Sequence, residues 1–126
     1  MGKSIKKLSH FAAIFPVENP LKTAQWYREK LDFEITFEWG EPIGYVVTKQ
    51  DEAVSIHFVE RADDFIPSKS HNSLYIFCHD VDALYNEVKS KNIKVISEIQ
   101  THDYGMRDFD IIDPNGFVIS FGSGVS

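Results

Sequence analysis

Hydrophobic and polar positions in the first half of the chain follow two spacings, one typical of strands and one typical of a helix. Residues 8–17 form an apolar run containing Phe, Ile and Val, which predicts a strand. Asn19 is a favourable N-cap and Pro20 suits the first helical position, and apolar residues then recur at helical spacing up to Leu31. Three further strands are predicted, at 33–39, 45–48 and 53–60. These elements make one β-α-β-β-β unit.

The same order of elements returns in the second half. A helix capped by Asp80 is predicted after the first of four further strands, which cover 73–78, 93–99, 107–112 and 117–122. Adding 61 to the numbering places Asn19 on Asp80, so the two helix caps coincide. Adding 63 places residues 45–58 on 108–121, where apolar positions again match. The chain therefore contains an internal repeat.

This repeat predicts the fold class and the organisation of the chain. We expect one α+β domain built from half-repeats of about 8–60 and 73–122, joined by a linker at 61–72. The eight strands are predicted to form a cupped, mostly antiparallel sheet. At 126 residues, such a domain buries a core without a disulfide or a structural metal.

Charge and cysteine content narrow the range of partners. The formal net charge is −6, which argues against a nucleic acid, because phosphate backbones are bound by clustered Lys and Arg. Cys78 is the only cysteine, which excludes an internal disulfide and fits a reducing compartment. The longest apolar stretch, 11–17, is too short to cross a membrane. We expect a cytoplasmic protein whose partner is a small molecule.

Two motifs resemble a known superfamily. The segment 26–33, Trp-Tyr-Arg-Glu-Lys-Leu-Asp-Phe, resembles the end of the first helix in the glyoxalase/bleomycin resistance/dioxygenase (vicinal oxygen chelate) superfamily, with Asp32 in place of the usual Gly. The segments 104–109 and 113–116, Tyr-Gly-Met-Arg-Asp-Phe and Asp-Pro-Asn-Gly, resemble a signature of its bleomycin-resistance-like branch. The resemblance runs from about Leu8 to Gly122. It implies the glyoxalase/bleomycin resistance fold and a homodimer whose cups are completed across the interface.

The resemblance also indicates where a divalent metal would be held. Carried over by the spacing of the family, the four ligand positions read Ala12, His57, Ser73 and Ser120, so a single imidazole replaces the usual His, Gln or Glu set. We therefore expect no cofactor and no catalytic residue. One alternative is a metal-dependent lyase, isomerase or dioxygenase with Zn, Ni, Mn or Fe at a displaced site formed by His10, His57 and His71. Another is an enzyme with metal-free acid–base chemistry, for which Asp103 or Asp108 could supply the acid or the base.

Aromatic residues in the predicted strands indicate what the cup binds instead. Flat rings stack on aromatic ligands and attract cations, although aromatic residues also favour strands for packing alone. The favoured function is a metal-free binding protein of the bleomycin-resistance type, which sequesters a single aromatic ligand, either neutral or cationic. The predicted ligand-binding residues are Trp39, Tyr45, His57, Tyr75, Tyr104, Met106 and Ser120.

Overall fold

The computed structural model describes residues 6–68 and 71–125, and its elements repeat the order β-α-β-β-β twice. The first half contains β1 (Ala13–Val17), α1 (Pro20–Leu31), β2 (Glu34–Trp39), β3 (Tyr45–Gln50) and β4 (Val54–Glu60). The second half contains β5 (Leu74–Phe77), α2 (Val81–Ser90), β6 (Val95–Thr101), β7 (Met106–Ile112) and β8 (Val118–Gly124). The α+β class and the internal repeat are confirmed.

Each half makes its own four-stranded sheet. The strand order is β1-β4-β3-β2 in the first sheet and β5-β8-β7-β6 in the second. Only the first strand of each half is parallel to its neighbour, and the other pairs are antiparallel. The eight predicted strands are thus divided equally between two sheets of identical topology.

Local capping chemistry explains where both helices begin. The Asn19 side chain accepts a hydrogen bond from the Lys22 backbone N–H at 3.0 Å, and Asp80 accepts one from Ala83 at the same distance. Each cap therefore satisfies a donor that the first helical turn leaves free. The first helix ends at Leu31, and its C-cap Asp32 has a left-handed φ of +60°, a conformation that Gly adopts without strain.

The core lies between the sheets and their helices and continues from one half to the other. Alternate strand residues such as Phe58 and Ile119 are fully buried on the helix side of their sheets. Phe15 of β1 stacks on Phe117, just before β8, with ring centroids 4.1 Å apart and planes 8° apart. The Tyr27 hydroxyl of α1 donates to the Asp113 carboxylate at 2.6 Å. These contacts join the two halves through their buried sides.

Two strands begin at least two residues later than predicted. The strand predicted over 8–17 begins only at Ala13, and Leu8 and Phe11 are largely exposed. The strand register explains this difference. Ala13 pairs with Ile56 in parallel, and β4 starts only two residues before Ile56, at Val54. Residues before 11 therefore have no partner in β4. The strand predicted from 93 begins at Val95, after a buried Ile93 that packs into the core.

The predicted linker packs against the second half of the chain. Within residues 61–72, the Phe65 ring stacks on the Phe117 ring with centroids 6.1 Å apart, while residues 69 and 70 lie outside the described part of the chain.

Among the described residues, no helix is long and apolar enough to span a membrane, since α1 has 12 residues and α2 has 10.

Candidate functional site

The first sheet presents an apolar and aromatic surface on the side away from α1. Cross-strand partners share a face, so His57 lies beside Ile14 and Val47, and Trp39 lies opposite Tyr45. We call this surface the first open face; its members are Ile14, Phe37, Trp39, Tyr45, Val47 and His57. Ile14 is 58% exposed, Phe37 51% and Trp39 67%, whereas their cross-strand partners His57, Val47 and Tyr45 are half-buried.

His57 and Tyr45 form the polar centre of the first open face. The Tyr45 hydroxyl and His57 Nδ1 lie 2.6 Å apart, and the two rings meet edge to face with centroids 5.5 Å apart. Burial, and to a lesser degree the charge of Lys49, lower the pKa of His57. A neutral imidazole therefore stands among aromatic side chains, where it offers a ligand either a donor or an acceptor.

The second sheet presents a polar surface on the corresponding side. We call it the second open face; it carries Tyr75, Phe77, His102, Asp108, Asp110, Ser120 and Gly122, which the strand register and a shared depression bring together. The Ser120 hydroxyl donates to the Asp110 carboxylate at 2.6 Å and accepts from the Asn72 amide. Its two carboxylates give this face a negative charge that the first open face lacks.

A three-residue network crosses the second open face. The nearly buried Asp108 carboxylate accepts from the Tyr75 hydroxyl at 2.9 Å and contacts His102 Nε2 at 2.7 Å. Burial first, and then the hydrogen bond to Asp108, raise the pKa of Tyr75. Tyr104 stacks on the His102 ring with centroids 4.8 Å apart and planes 6° apart. The predicted residue Met106 is partly buried at the start of β7, on the same side as Asp108.

The four positions at which the resemblance implies metal ligands are poorly suited to hold a metal ion. Ile14 is the strand partner of His57, and Tyr75 is the strand partner of Ser120. Ala12 and Ser73 lie two residues before these partners, so the alternation of side chains along a strand places all four positions on the open faces. Their side chains offer one imidazole, two hydroxyls and a methyl group, which do not fit a catalytic divalent ion. We therefore derive no chemical step through a metal.

The displaced histidine site is not assembled in the structure. His10 and His71 are exposed, and His10 Nδ1 contacts the Ser9 hydroxyl at 2.7 Å. Within residues 6–68 and 71–125, no group of three or more His, Cys, Asp or Glu side chains is arranged to hold a metal ion. His57 instead contacts Tyr45.

The predicted ligand-binding residues fall into two groups. Trp39, Tyr45 and His57 lie on the first open face, whereas the others lie on or beside the second; these are Tyr75, Tyr104, Met106 and Ser120. Whether they bind a ligand stays a prediction.

Sequence reasoning missed two polar residues of the second open face, His102 and Asp110, and the neighbouring Gln100. It considered Asp108 only as a possible acid or base. One signal was present, because Asp108 and Asp110 alternate with the apolar Phe109 and Ile111, which is typical of a strand with one polar side.

Several solved structures share the fold of this chain. TioX from Micromonospora sp. ML1 superposes with a TM-score of 0.76 and 13% identity, covering 93% of this chain and 99% of that one. TnmS3, an antibiotic binding protein from Streptomyces sp. CB03234, gives 0.74 and 20% over 95% and 99% of the two chains. A glyoxalase-related enzyme from Clostridium phytofermentans gives 0.76 and 18% over 95% and 98%. At these identities the likeness shows the fold alone.

A match between the sequence and a family model identifies the family. No curated protein matches it at a significant level. The family model described as "Glyoxalase/Bleomycin resistance protein/Dioxygenase superfamily" matches residues 7–121, which span both repeats and both motifs. The chain therefore belongs to the glyoxalase/bleomycin resistance protein/dioxygenase superfamily.

Proposed function

We propose that this protein binds a small aromatic ligand without a metal and sequesters it, as antibiotic-resistance proteins of the bleomycin type do. The observation that carries the proposal is the exposure of Trp39 and Phe37 on the first open face, beside the neutral His57. Exposed apolar surface of this kind marks a site that is covered by a ligand or a partner. The fold likeness to TnmS3, an antibiotic binding protein, supports the same role.

Each open face supplies a different part of the recognition. Flat side chains such as Trp39 offer stacking to an aromatic ring, and the Tyr45–His57 pair offers one directed hydrogen bond. The Asp108 and Asp110 carboxylates on the second sheet favour a ligand with a cationic group. We propose that the ligand is aromatic and that a positive charge on it strengthens binding.

A homodimer in the cytoplasm is part of this proposal. Open faces on both sheets carry exposed aromatic residues, including Phe77, which is 74% exposed, and Trp39. A second copy would cover them and close a cup between a first open face and a second open face. Sedimentation at micromolar concentration tests this arrangement, and a mass equal to one chain contradicts it.

Tryptophan fluorescence tests the binding proposal directly, because the chain has two tryptophans in different places. Trp39 lies on the first open face, whereas Trp26 lies on α1 and packs edge-on against Tyr27. We expect proflavine, a flat aromatic cation, to bind saturably and to quench the emission of Trp39. The Trp26→Phe variant should keep the quenching and the Trp39→Phe variant should lose it.

Two controls separate the proposal from its alternatives. Anilinonaphthalene sulfonate, an aromatic anion, should bind more weakly than proflavine. No saturable binding of either probe, or quenching that persists in Trp39→Phe, contradicts a ligand site on the first open face. Stoichiometric Ni, Zn, Mn or Fe in the untagged protein contradicts the metal-free part of the proposal.

A further inference from the structure

The second open face contains a histidine whose two ring nitrogens are in unlike surroundings. His102 Nε2 lies 2.7 Å from one oxygen of the Asp108 carboxylate, and the Tyr75 hydroxyl donates to the other oxygen at 2.9 Å. A carboxylate only accepts hydrogen bonds, so Nε2 carries the hydrogen and Nδ1 of the neutral ring keeps its lone pair. The Gln100 amide donates to Nδ1 at 3.3 Å, which agrees with this tautomer.

The two sides of the imidazole differ in access. Asp108 is nearly buried on one side, whereas on the other side Gln100 is exposed at the rim of a depression of about 340 Å³. This depression is lined by polar side chains, namely Ser97, Glu98, Gln100, His102, Asp108 and Asp110. A ligand seated there displaces one long hydrogen bond and meets the lone pair of Nδ1.

The ring of His102 is held in place by its neighbours. Tyr104 stacks on it nearly in parallel, and Asp108 fixes its rotation. Asp108 is in turn fixed by Tyr75, whose ring crosses β8 at Gly122, where any side chain would overlap the Tyr75 hydroxyl. A held imidazole with a buried carboxylate behind it is the arrangement of a general base.

We propose that His102 is the general base of an acid–base site on the second open face, with Asp108 and Tyr75 as its positioning residues. The site takes a small ligand that bears an acidic C–H, N–H or O–H group and fits a depression lined by polar side chains. This inference goes beyond the proposed binding function, because it assigns proton transfer to residues that binding alone does not need.

The proton transfer balances without a cofactor. The ligand proton moves to His102 Nδ1, and the electron pair of the broken bond stays on the ligand. The resulting imidazolium donates from Nε2 to Asp108, whose negative charge stabilises it. The proton then leaves Nδ1 to solvent.

A flat aromatic carbon acid tests the proposal in the full chain. With 5-nitrobenzisoxazole, removal of the ring C–H proton breaks the N–O bond and gives a coloured cyanonitrophenolate, with no other reactant. We expect saturable turnover, with kcat/KM reduced at least about a hundredfold in His102→Gln, the lower range for loss of a general base. His79→Gln, which changes an exposed histidine after β5, is the matched control and should keep the wild-type rate.

The split between kcat and KM separates positioning from a merely structural role. Asp108→Asn removes the negative charge that stabilises the imidazolium, so it should lower kcat and leave KM for the probe unchanged. A wild-type kcat in folded Asp108→Asn, or a change in KM alone, contradicts the role given to Asp108.

A second variant keeps the proposal falsifiable if His102→Gln fails to fold. Gln100 is exposed, so Gln100→Ala should fold, and it uncovers Nδ1 and should raise kcat at least about twofold, a small effect for general-base catalysis. No increase in Gln100→Ala, or a wild-type rate equal to that of a folded His102→Gln, overturns the proposal. KM reports binding of the probe and kcat reports proton transfer. The kinetics therefore distinguish a failure of the proposed binding function from a failure of the acid–base function.

Discussion

The Tyr27 hydroxyl donates a 2.6 Å hydrogen bond to the Asp113 carboxylate across 86 positions of sequence, and it joins the first helix to the Asp-Pro-Asn-Gly turn of the other half. Tyr27 is fully buried and Asp113 nearly so. The other carboxylate oxygen accepts from the backbone N–H groups of Asn115 and Phe117, both at 2.9 Å. One carboxylate therefore orders the turn and fastens the two repeats together.

The first prediction concerns the loss of this donor. Tyr27→Phe keeps the ring in the core but leaves one oxygen of Asp113 unpaired, which should lower the free energy of unfolding by about 1–3 kcal/mol. Urea unfolding measures the change. Tyr85→Phe on α2 is the matched control, because Tyr85 accepts only an exposed bond from Lys89, and its effect should stay within about 0.5 kcal/mol. Equal effects in both variants contradict a structural role for the bond.

The second prediction is a pH dependence of stability that comes from Asp113. Burial raises the pKa of this carboxyl, although its hydrogen bonds from Tyr27 and the backbone oppose the shift. The folded protein then holds the proton more tightly than the unfolded chain does. This stabilisation is complete below the pKa of the unfolded chain and is lost as the pH rises through the folded-state pKa.

Comparison with Asp113→Asn isolates that contribution. The variant cannot titrate at this position, so the free energy of unfolding of the wild type minus that of the variant should fall as the pH rises from acid toward neutral. Urea titrations at a series of pH values measure the difference. A difference that stays constant, or that grows with pH, contradicts a raised pKa for Asp113.

Local signals were enough to predict the fold. Asn19 and Asp80 cap their helices with side chains that bond to N–H groups three residues away, so their effect is visible in a short stretch of sequence. The alternation of buried residues in β3 and β4 also follows from the strand period alone. The spacing of the two repeats then sets the order of the strands.

Contacts distant in sequence were not predictable in this way. Nothing near Tyr27 indicates that its hydroxyl meets Asp113, because the packing of one half against the other decides it. His102 lies just after β6, outside any periodic segment, and a register shift in the β6–β7 pair determines what it faces. The polar network of the second open face therefore became visible only in the structure.

The third prediction concerns the electrostatics of the first open face. Burial is the larger cause of the lowered pKa of His57, and the charge of Lys49 is the smaller one. Lys49→Met should therefore raise the pKa of His57 part of the way toward its usual value, as followed by NMR titration of the imidazole. Lys22→Met on α1 removes a charge that has no part in the shift and should leave the titration unchanged. A fall, or no change, in Lys49→Met contradicts the assigned cause.

The fourth prediction tests the close approach of Tyr75 to β8. A methyl group at Gly122 would overlap the Tyr75 hydroxyl and would also lie 3.0 Å from Cβ of Asp108. Gly122→Ala should therefore push Tyr75 off Asp108 and lower the free energy of unfolding by about 1–3 kcal/mol, as overpacking does. Gly124→Ala, two residues along the same strand, meets nothing within 4 Å and serves as the matched control.

A double-mutant cycle shows whether the Tyr75 ring is the cause. In a Tyr75→Ala background the ring is absent, so Gly122→Ala should cost less than it does in the wild type, with a coupling energy of about 0.5–3 kcal/mol. Urea unfolding of the four proteins measures it. Additive effects would mean that the cost comes from the β8 backbone or from Asp108, and they would contradict the account of Gly122 as the position that admits the Tyr75 ring.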